Sequence, residues 1–184
     1  MRPAIACAGV AFGLVAAPAH AKPQVSTAAV AGLSAVGDRD DLWGPRHFTL
    51  GARGDVLFGR DRDLAFGGGP YVEVLTASAF HDLQVGGGAE LLVPVHAYLP
   101  IVLGAGPYAA HSGGAWSPGV AGSLFWGSRG FNYHSYYGLS GGLLLQARVG
   151  LGDTRDVTWI AAAQVDLTLL ALPWLIAFEG VHPH

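Results

Sequence analysis

The sequence predicts an all-β protein, a closed antiparallel up-and-down transmembrane β-barrel of eight strands. Three observations lead to this prediction. Apolar and polar residues alternate with a period of two through most of Arg46–Leu172, short stretches rich in Gly, Pro and Asp separate the alternating segments, and an export signal precedes them. A period of two places successive side chains on opposite sides of a β-strand. A series of such segments is typical of membrane barrels.

The alternation is clearest in His81–His96. One side of this segment is apolar and carries Leu83, Val85, Ala89, Leu91, Val93 and Val95, whereas the other side carries Asp82, Gln84 and Glu90. Applied to the whole chain, the same pattern predicts strands at 25–37, 46–59, 64–78, 81–95, 97–111, 117–127, 134–151 and 156–172. The even number of strands fits a small bacterial barrel with both chain ends in the periplasm.

The first 21 residues have the features of a signal peptide. Arg2 gives a positive start, Ala4–Ala17 is apolar, and Ala19-His20-Ala21 fits a small-x-small cleavage site. We expect cleavage after Ala21, because the apolar run is shorter than the ~20 residues of a spanning helix; an uncleaved anchor is the alternative. Cleavage removes Cys7 and leaves a mature chain with neither a disulfide nor a thiol nucleophile.

The predicted organisation is a signal peptide at 1–21, an N-terminal arm or first strand with its outer loop at 22–45, a barrel at 46–172 and a C-terminal tail at 173–184. Only 12% of the residues are charged, about half of the ~25% in typical soluble domains. The formal charge of −3 becomes −4 when Arg2 is removed. This composition lacks the basic field that attracts nucleic acid.

Trp159–Phe178 is the best helix candidate, but a strand through 156–172 is preferred. As a spanning helix the segment would carry Gln164, Asp166 and Pro173, and an Asp near the middle costs about 2.5–3.5 kcal/mol. As a strand it places Asp156, Thr158, Gln164, Asp166 and Thr168 on one face and apolar residues on the other.

The few charges in the chain would cover a water-exposed surface poorly, so the apolar faces are predicted to point outward. Glu73, Glu90, Arg148 and Asp166 are expected to point into the barrel. Val72, Leu91, Val149 and Leu167 are expected to point out. The reverse orientation would give a soluble periplasmic barrel that binds an apolar ligand, as in lipocalins.

With these features the chain resembles the small eight-stranded outer-membrane barrels of the OmpA- and OmpX-like group, by pattern and over most of its mature length. The resemblance implies a place in the outer membrane, with lipid and the barrel assembly machinery as partners. Such barrels usually end on an aromatic residue, whereas this chain ends with Glu179–His184, so Phe178 would be a displaced assembly signal.

The inward faces carry a predicted lumen charge network. Its members are Arg53, Asp55, Glu73, Glu90, Gln146, Arg148, Gln164 and Asp166. Charges removed from water must pair, and Arg can bind carboxylates with two parallel hydrogen bonds. Because an eight-stranded barrel is only wide enough inside for side chains, an ion-pair plug is favoured over an ion pathway or a small pore.

Catalytic, metal and cofactor sites are not predicted. His134-Ser135 suggests a lipid A deacylase-like barrel enzyme, but adjacent residues point to opposite faces of a strand, and residues 140–152 contain no acid to orient the base. His81, His96, His111, His182 and His184 form no metal-binding pattern, and Asp38–Asp41 lacks the spacing of a calcium loop. The expected role is structural or interaction-related, with a lipid-modifying enzyme, a small pore and a soluble ligand-binding barrel as alternatives.

Overall fold

The computed structural model describes residues 22–37, 44–151 and 156–179. These residues form eight strands, one short 3₁₀ helix and one α-helix. The strands are β1 (Gln24–Gly37), β2 (Arg46–Leu57), β3 (Gly67–Ala77), β4 (Asp82–Val93), β5 (Ile101–Ser112), β6 (Ala115–Ser128), β7 (Gly141–Gly150) and β8 (Val157–Asp166). The 3₁₀ helix is Ser78–Phe80, and α1 is Leu167–Glu179. The signal peptide, the tail residues 180–184 and most of the loops around Asp38–Asp41 and 152–155 lie outside the described residues.

Each strand pairs antiparallel with the next one along the chain, and β8 pairs with β1 to close the barrel. The predicted fold class, an eight-stranded up-and-down barrel, is therefore confirmed. Closure leaves no edge strand, because every strand has a partner strand on both sides. We call the end at which β1 begins and β8 ends the base, and the opposite end the rim.

The strands are staggered around the barrel. The stagger is measured by stepping from each residue to its paired residue on the next strand. Starting from Ala28 on β1, the successive partners are Arg53, Glu73, Gly86, Tyr108, Gly119 and Gly150. This path crosses β8 and returns to β1 ten residues further along the chain. With eight strands, this stagger corresponds to a strand tilt of about 40°, and the interior is then just wide enough to be filled by side chains.

The two faces of the strands differ in chemistry, as the alternation predicts. Glu73, Glu90, Arg148 and Asp166 are buried, and Val72, Leu91, Val149 and Leu167 are exposed. The interior also contains an apolar cluster formed by Val30, Leu57, Leu75, Leu92, Val102, Phe125, Leu144, Ile160 and Ala162. The interior is thus filled by apolar packing together with charged groups.

Two predicted strand boundaries are wrong for the same reason. β7 begins at Gly141 and not at residue 134, because Gly141 pairs with Ser128, the last residue of β6. β8 ends at Asp166 and not at residue 172, because Val165 pairs with Gly141 and the chain then runs past the start of β7. Without a partner on that side the chain folds into α1, which includes Pro173. The segment Trp159–Phe178 is therefore strand up to Asp166 and helix from Leu167 onward.

Two connections at the rim, 78–81 and 113–114, are described by the structure and are short. β5 and β6 are joined by Gly113-Gly114, and both glycines have positive φ angles of 59° and 85°, as the favoured two-residue hairpin turn requires. The link between β3 and β4 is the 3₁₀ helix, in which Ser78 and Phe80 have positive φ angles of 51° and 72°. The left-handed conformation is strained for residues other than glycine.

We predict that Gly106→Ala destabilises the barrel. A Cβ atom added at Gly106 would lie 2.6 Å from the Cα atom of Gly88 and even closer to the carbonyl oxygen of Gly87. Overpacking of this kind costs about 1–3 kcal/mol, and the thermal unfolding temperature should fall. Gly122→Ala is the matched control, because a Cβ atom at Gly122 has nothing within 4 Å. Equal unfolding temperatures for the two variants would contradict the tight β4–β5 contact.

Candidate functional site

The candidate site is a cluster of charged side chains inside the barrel. It contains Arg53, Asp55, Glu73, Glu90, Arg129 and Arg148, and we refer to these six residues as the ion-pair cluster. All six are buried. Five of them lie on inward-facing strand positions of β2, β3, β4 and β7, as predicted, and only Arg129 lies beyond a strand end.

Arg53 connects two carboxylates on neighbouring strands. Its two terminal nitrogens lie 3.1 Å from Glu73 Oε2 and 3.0 Å from Glu90 Oε2. Its guanidinium carbon also lies 3.9 Å from the ring centroid of Tyr71, a distance at which a cation is attracted to the ring face. The planar guanidinium suits this role, because its donors diverge in fixed directions.

Arg148 reaches Glu73 from the other side of the barrel. Its Nη2 atom lies 2.6 Å from Glu73 Oε1, and its Nε atom donates to Gln146 Oε1 at 3.1 Å. Gln146 in turn donates from Nε2 to Glu73 Oε2 at 2.7 Å, and Arg148 also donates to Gln84. Glu73 therefore accepts hydrogen bonds from β2 and from β7, and it links opposite walls of the barrel.

Arg129 is a member of the cluster that the sequence analysis missed. It pairs with Asp55, and its Nη1 atom lies 3.5 Å from Glu90 Oε1. The cluster thus contains three arginines and three carboxylates, so its formal charges balance. A signal for Arg129 was available, because it continues the inward alternation of β6 through Phe125 and Gly127. The predicted strand ended at residue 127 and left Arg129 out.

Three residues of the predicted network are not members of the six-residue cluster. Gln146 joins it through hydrogen bonds to Glu73 and Arg148. Asp166 binds none of the described arginines; it accepts hydrogen bonds from Tyr137 Oη at 2.9 Å, from the Ser140 backbone at 3.2 Å and from the Thr168 backbone at 2.8 Å. It therefore caps α1 and fixes the connection 129–140 to the base. Gln164 is buried, and its Oε1 atom has no hydrogen-bond partner among the described residues.

The connection 129–140 covers the base of the barrel. Gln24 donates from Nε2 to the Asn132 carbonyl at 3.1 Å, and the hydroxyls of Ser26 and Ser140 are 2.9 Å apart. From the neighbouring connection, Asp63 accepts a hydrogen bond from the Phe131 backbone at 2.9 Å. These hydrogen bonds hold the connection 129–140 against the base of the barrel.

Arg60 is a second arginine that was not assigned to the interior. It is fully buried, and its hydrogen bonds, all 3.4 Å long, go to uncharged oxygens of Gln24, Asp63 and Arg129. Burial, and then the charge of Arg129, lower the pKa of Arg60 from 12.5 to about 10. Because the folded-state pKa lies below the unfolded one, the buried charge weakens folding throughout the pH range below about 10.

His134-Ser135 lies in the connection 129–140. The backbone N–H groups of both residues donate to Asn132 Oδ1, at 3.0 and 3.1 Å, and Ser135 Oγ accepts from the Tyr137 backbone at 3.1 Å. These are the hydrogen bonds of an exposed turn. Among the described residues, no group of three His, Cys, Asp or Glu side chains could hold a metal ion, and none of the helices is long and apolar enough to cross a membrane.

Comparisons of the chain with protein-family models, curated proteins and solved structures give no match. The resemblance to small outer-membrane barrels therefore concerns pattern and strand number alone. What the protein does has to be inferred from its own two faces, the charged interior and the apolar exterior.

We predict that Arg148→Met destabilises the protein strongly. The substitution keeps the side chain long but leaves two arginines against three carboxylates, and an uncompensated buried charge costs roughly 3–5 kcal/mol. Adding Glu73→Gln restores the charge balance and should recover part of the loss in unfolding temperature. The control is Arg62→Ala, which removes an exposed ion pair. An Arg148→Met variant as stable as wild type would show that the cluster does not stabilise the barrel.

Proposed function

We propose that the protein is an integral outer-membrane β-barrel whose lumen is closed by an ion-pair plug, and that it has a structural or interaction role. This proposal includes export through a cleaved signal peptide and assembly into the membrane by the barrel assembly machinery. It assigns no catalytic residues. The outward face of the strands is the observation that carries it.

The outward face of the eight strands is largely apolar. Its polar side chains are Thr27, Thr76, His111 and Ser128, and Arg46 at the first position of β2 is its one Asp, Glu, Lys or Arg among the described strands. Large apolar side chains on this face are exposed, among them Leu33, Leu50, Val72, Val85, Leu103, Val120 and Leu143. Soluble monomers rarely expose continuous apolar surfaces of this size, whereas lipid requires them.

The height of this apolar face matches a bilayer. Trp116 and Trp126 both point outward from β6 and are more than half exposed. They are separated by ten residues, which corresponds to about 25 Å along the barrel axis with a rise of ~3.3 Å per residue and a tilt of about 40°. Outer-membrane barrels have an apolar band of about 25 Å between two aromatic girdles. The outward residues of β6 between the two tryptophans are Pro118, Val120, Gly122 and Leu124.

The side chains that fill the interior favour a closed lumen and not a pore. Ion pairs join β3 to β7 through Glu73 and Arg148, and Asp55 on β2 to Arg129 beyond β6. Side chains from opposite walls therefore meet in the lumen, and the apolar cluster fills the space beside them. An ion would have to break these pairs to pass.

The described connections at the base, 58–66, 94–100 and 129–140, offer a surface for a partner. The connection 129–140 is held there by hydrogen bonds to Gln24, Ser26 and Asp63. If the chain ends face the periplasm, as in bacterial barrels, this surface is on the periplasmic side. This favours an interaction role there.

A cysteine scan tests the membrane assignment. The mature chain lacks cysteine, so single cysteines can be introduced at outward Val72, Leu91 and Val149 and at exposed Arg62 in the base connection. In cells, the three outward positions should react with a lipid-soluble maleimide and resist a water-soluble one, and Arg62→Cys should react with both. The protein should fractionate with outer membranes, resist carbonate extraction and change its gel mobility on heating. Recovery in the soluble periplasm would contradict the proposal.

A conductance measurement tests the plug. Purified protein inserted into planar lipid bilayers should show no steady channel of nanosiemens size, because the cross-lumen ion pairs close the interior. Arg62→Ala, whose ion pair is exposed, should behave as wild type does. A stable open channel in wild-type protein would show that the lumen conducts and that a pore function is correct.

A further inference from the structure

We infer that α1 is a membrane anchor that lies in the lipid interface beside the base of the barrel, so the partner of this helix is a lipid surface. The inference rests on the proposed function, since it places the barrel in a bilayer. It assigns a role to a segment that the strand pattern does not explain. The argument depends on where α1 begins, on which of its sides are apolar and on its length.

The start of α1 is fixed to the barrel. Asp166 is fully buried, and its carboxylate accepts the Thr168 backbone N–H at 2.8 Å, as a helix cap does. The same carboxylate accepts hydrogen bonds from Tyr137 and from the Ser140 backbone. α1 therefore begins at a defined place on the base, directly after the outward apolar residues Ala163 and Val165 of β8.

The described residues of the helix are apolar on all sides, apart from the exposed Thr168 in its first turn. No charged residue occurs from Leu167 to Phe178. The large exposed side chains are Leu167, Leu169, Leu170, Leu172, Trp174 and Ile176. At 3.6 residues per turn, Leu170 and Leu172 lie about 200° apart around the axis, and so do Leu167 and Leu169. Exposed apolar groups thus surround the helix.

The distribution of apolar side chains around α1 indicates which environment covers the helix. A helix that docks on a second copy or on another protein needs only one apolar stripe and keeps polar residues opposite. A helix that is apolar all around is covered only by a medium that surrounds it, and hydrocarbon is such a medium. The adjoining outward face of β8 is apolar as well, so the apolar surface continues from the barrel onto the helix.

The length decides between spanning and lying in the interface. Thirteen residues extend about 20 Å, which is shorter than the ~30 Å hydrocarbon core. The last turn of a helix has four carbonyl groups without intrahelical partners, and these need water or headgroups. α1 therefore remains near the headgroups of one leaflet, and Trp174 is of the residue type enriched at that depth.

Fluorescence quenching tests the inference on the full mature chain. Single cysteines at Leu170 and Leu172, on opposite sides of α1, are labelled with the fluorophore NBD, and the protein is refolded into phosphatidylcholine vesicles at low protein-to-lipid ratio. Spin-labelled lipids should quench both positions severalfold more than a label at Arg62→Cys, and a shallow spin label should quench them more than a deep one. The emission should not depend on the protein-to-lipid ratio.

The outcomes separate this inference from the membrane assignment. A label at Val72→Cys reports on the barrel wall, and its quenching shows that the barrel is inserted. Quenching at Val72 without quenching at Leu170 and Leu172 would overturn the inference for α1 alone. Quenching at only one of the two helix positions, or self-quenching that rises with protein density, would show that α1 docks on protein. No quenching at Val72 would instead overturn the proposed function.

Discussion

The narrow barrel buries three arginines and three carboxylates away from water. The requirement that these buried charges pair with one another is the constraint on which the rest of the structure depends. Each charge of the ion-pair cluster is tolerated there because it meets an opposite charge, and Glu73 meets two arginines at once. Such pairs contribute little when they are compared with well-packed apolar residues, but the loss of one partner is costly. The cluster therefore fixes the relative positions of β2, β3, β4 and β7 more than it adds to stability.

The interior and the exterior of this barrel impose opposite requirements on the same strands. Period-two alternation meets both, because every second side chain faces the lumen and the others face out. The close β4–β5 approach at Gly88 and Gly106 leaves no room for a Cβ atom. Charge pairing, glycine placement and an apolar exterior are thus parts of one arrangement, which a small closed barrel in lipid would need.

Much of the fold and most of the candidate site could be predicted from the sequence. Strand number, antiparallel order and the inward position of Arg53, Glu73, Glu90 and Arg148 follow from local alternation. The missed residues have a physical explanation. Arg129 continues the inward alternation of β6 but lies one residue beyond the end of that strand, so a boundary placed too early leaves it out. Arg60 lies in the connection 58–66, where alternation no longer defines a face. The start of α1 likewise depends on where β7 begins, which no local pattern in β8 reveals.

The sequence by itself determined which residues share a face, because side-chain direction along a strand depends only on the neighbouring residues. Only the tertiary structure decided which charges pair. Glu73 and Arg148 are 75 residues apart in the chain, and their contact depends on the ten-residue stagger and the diameter of the closed barrel. Alternation places Asp166 on the inward face, together with its predicted partners. Asp166 nevertheless caps α1, because it lies at the base, where β8 loses its partner strand. Closure of the barrel sets the distances between side chains on different strands. Closure depends on all eight strands together, so no local stretch of sequence specifies it.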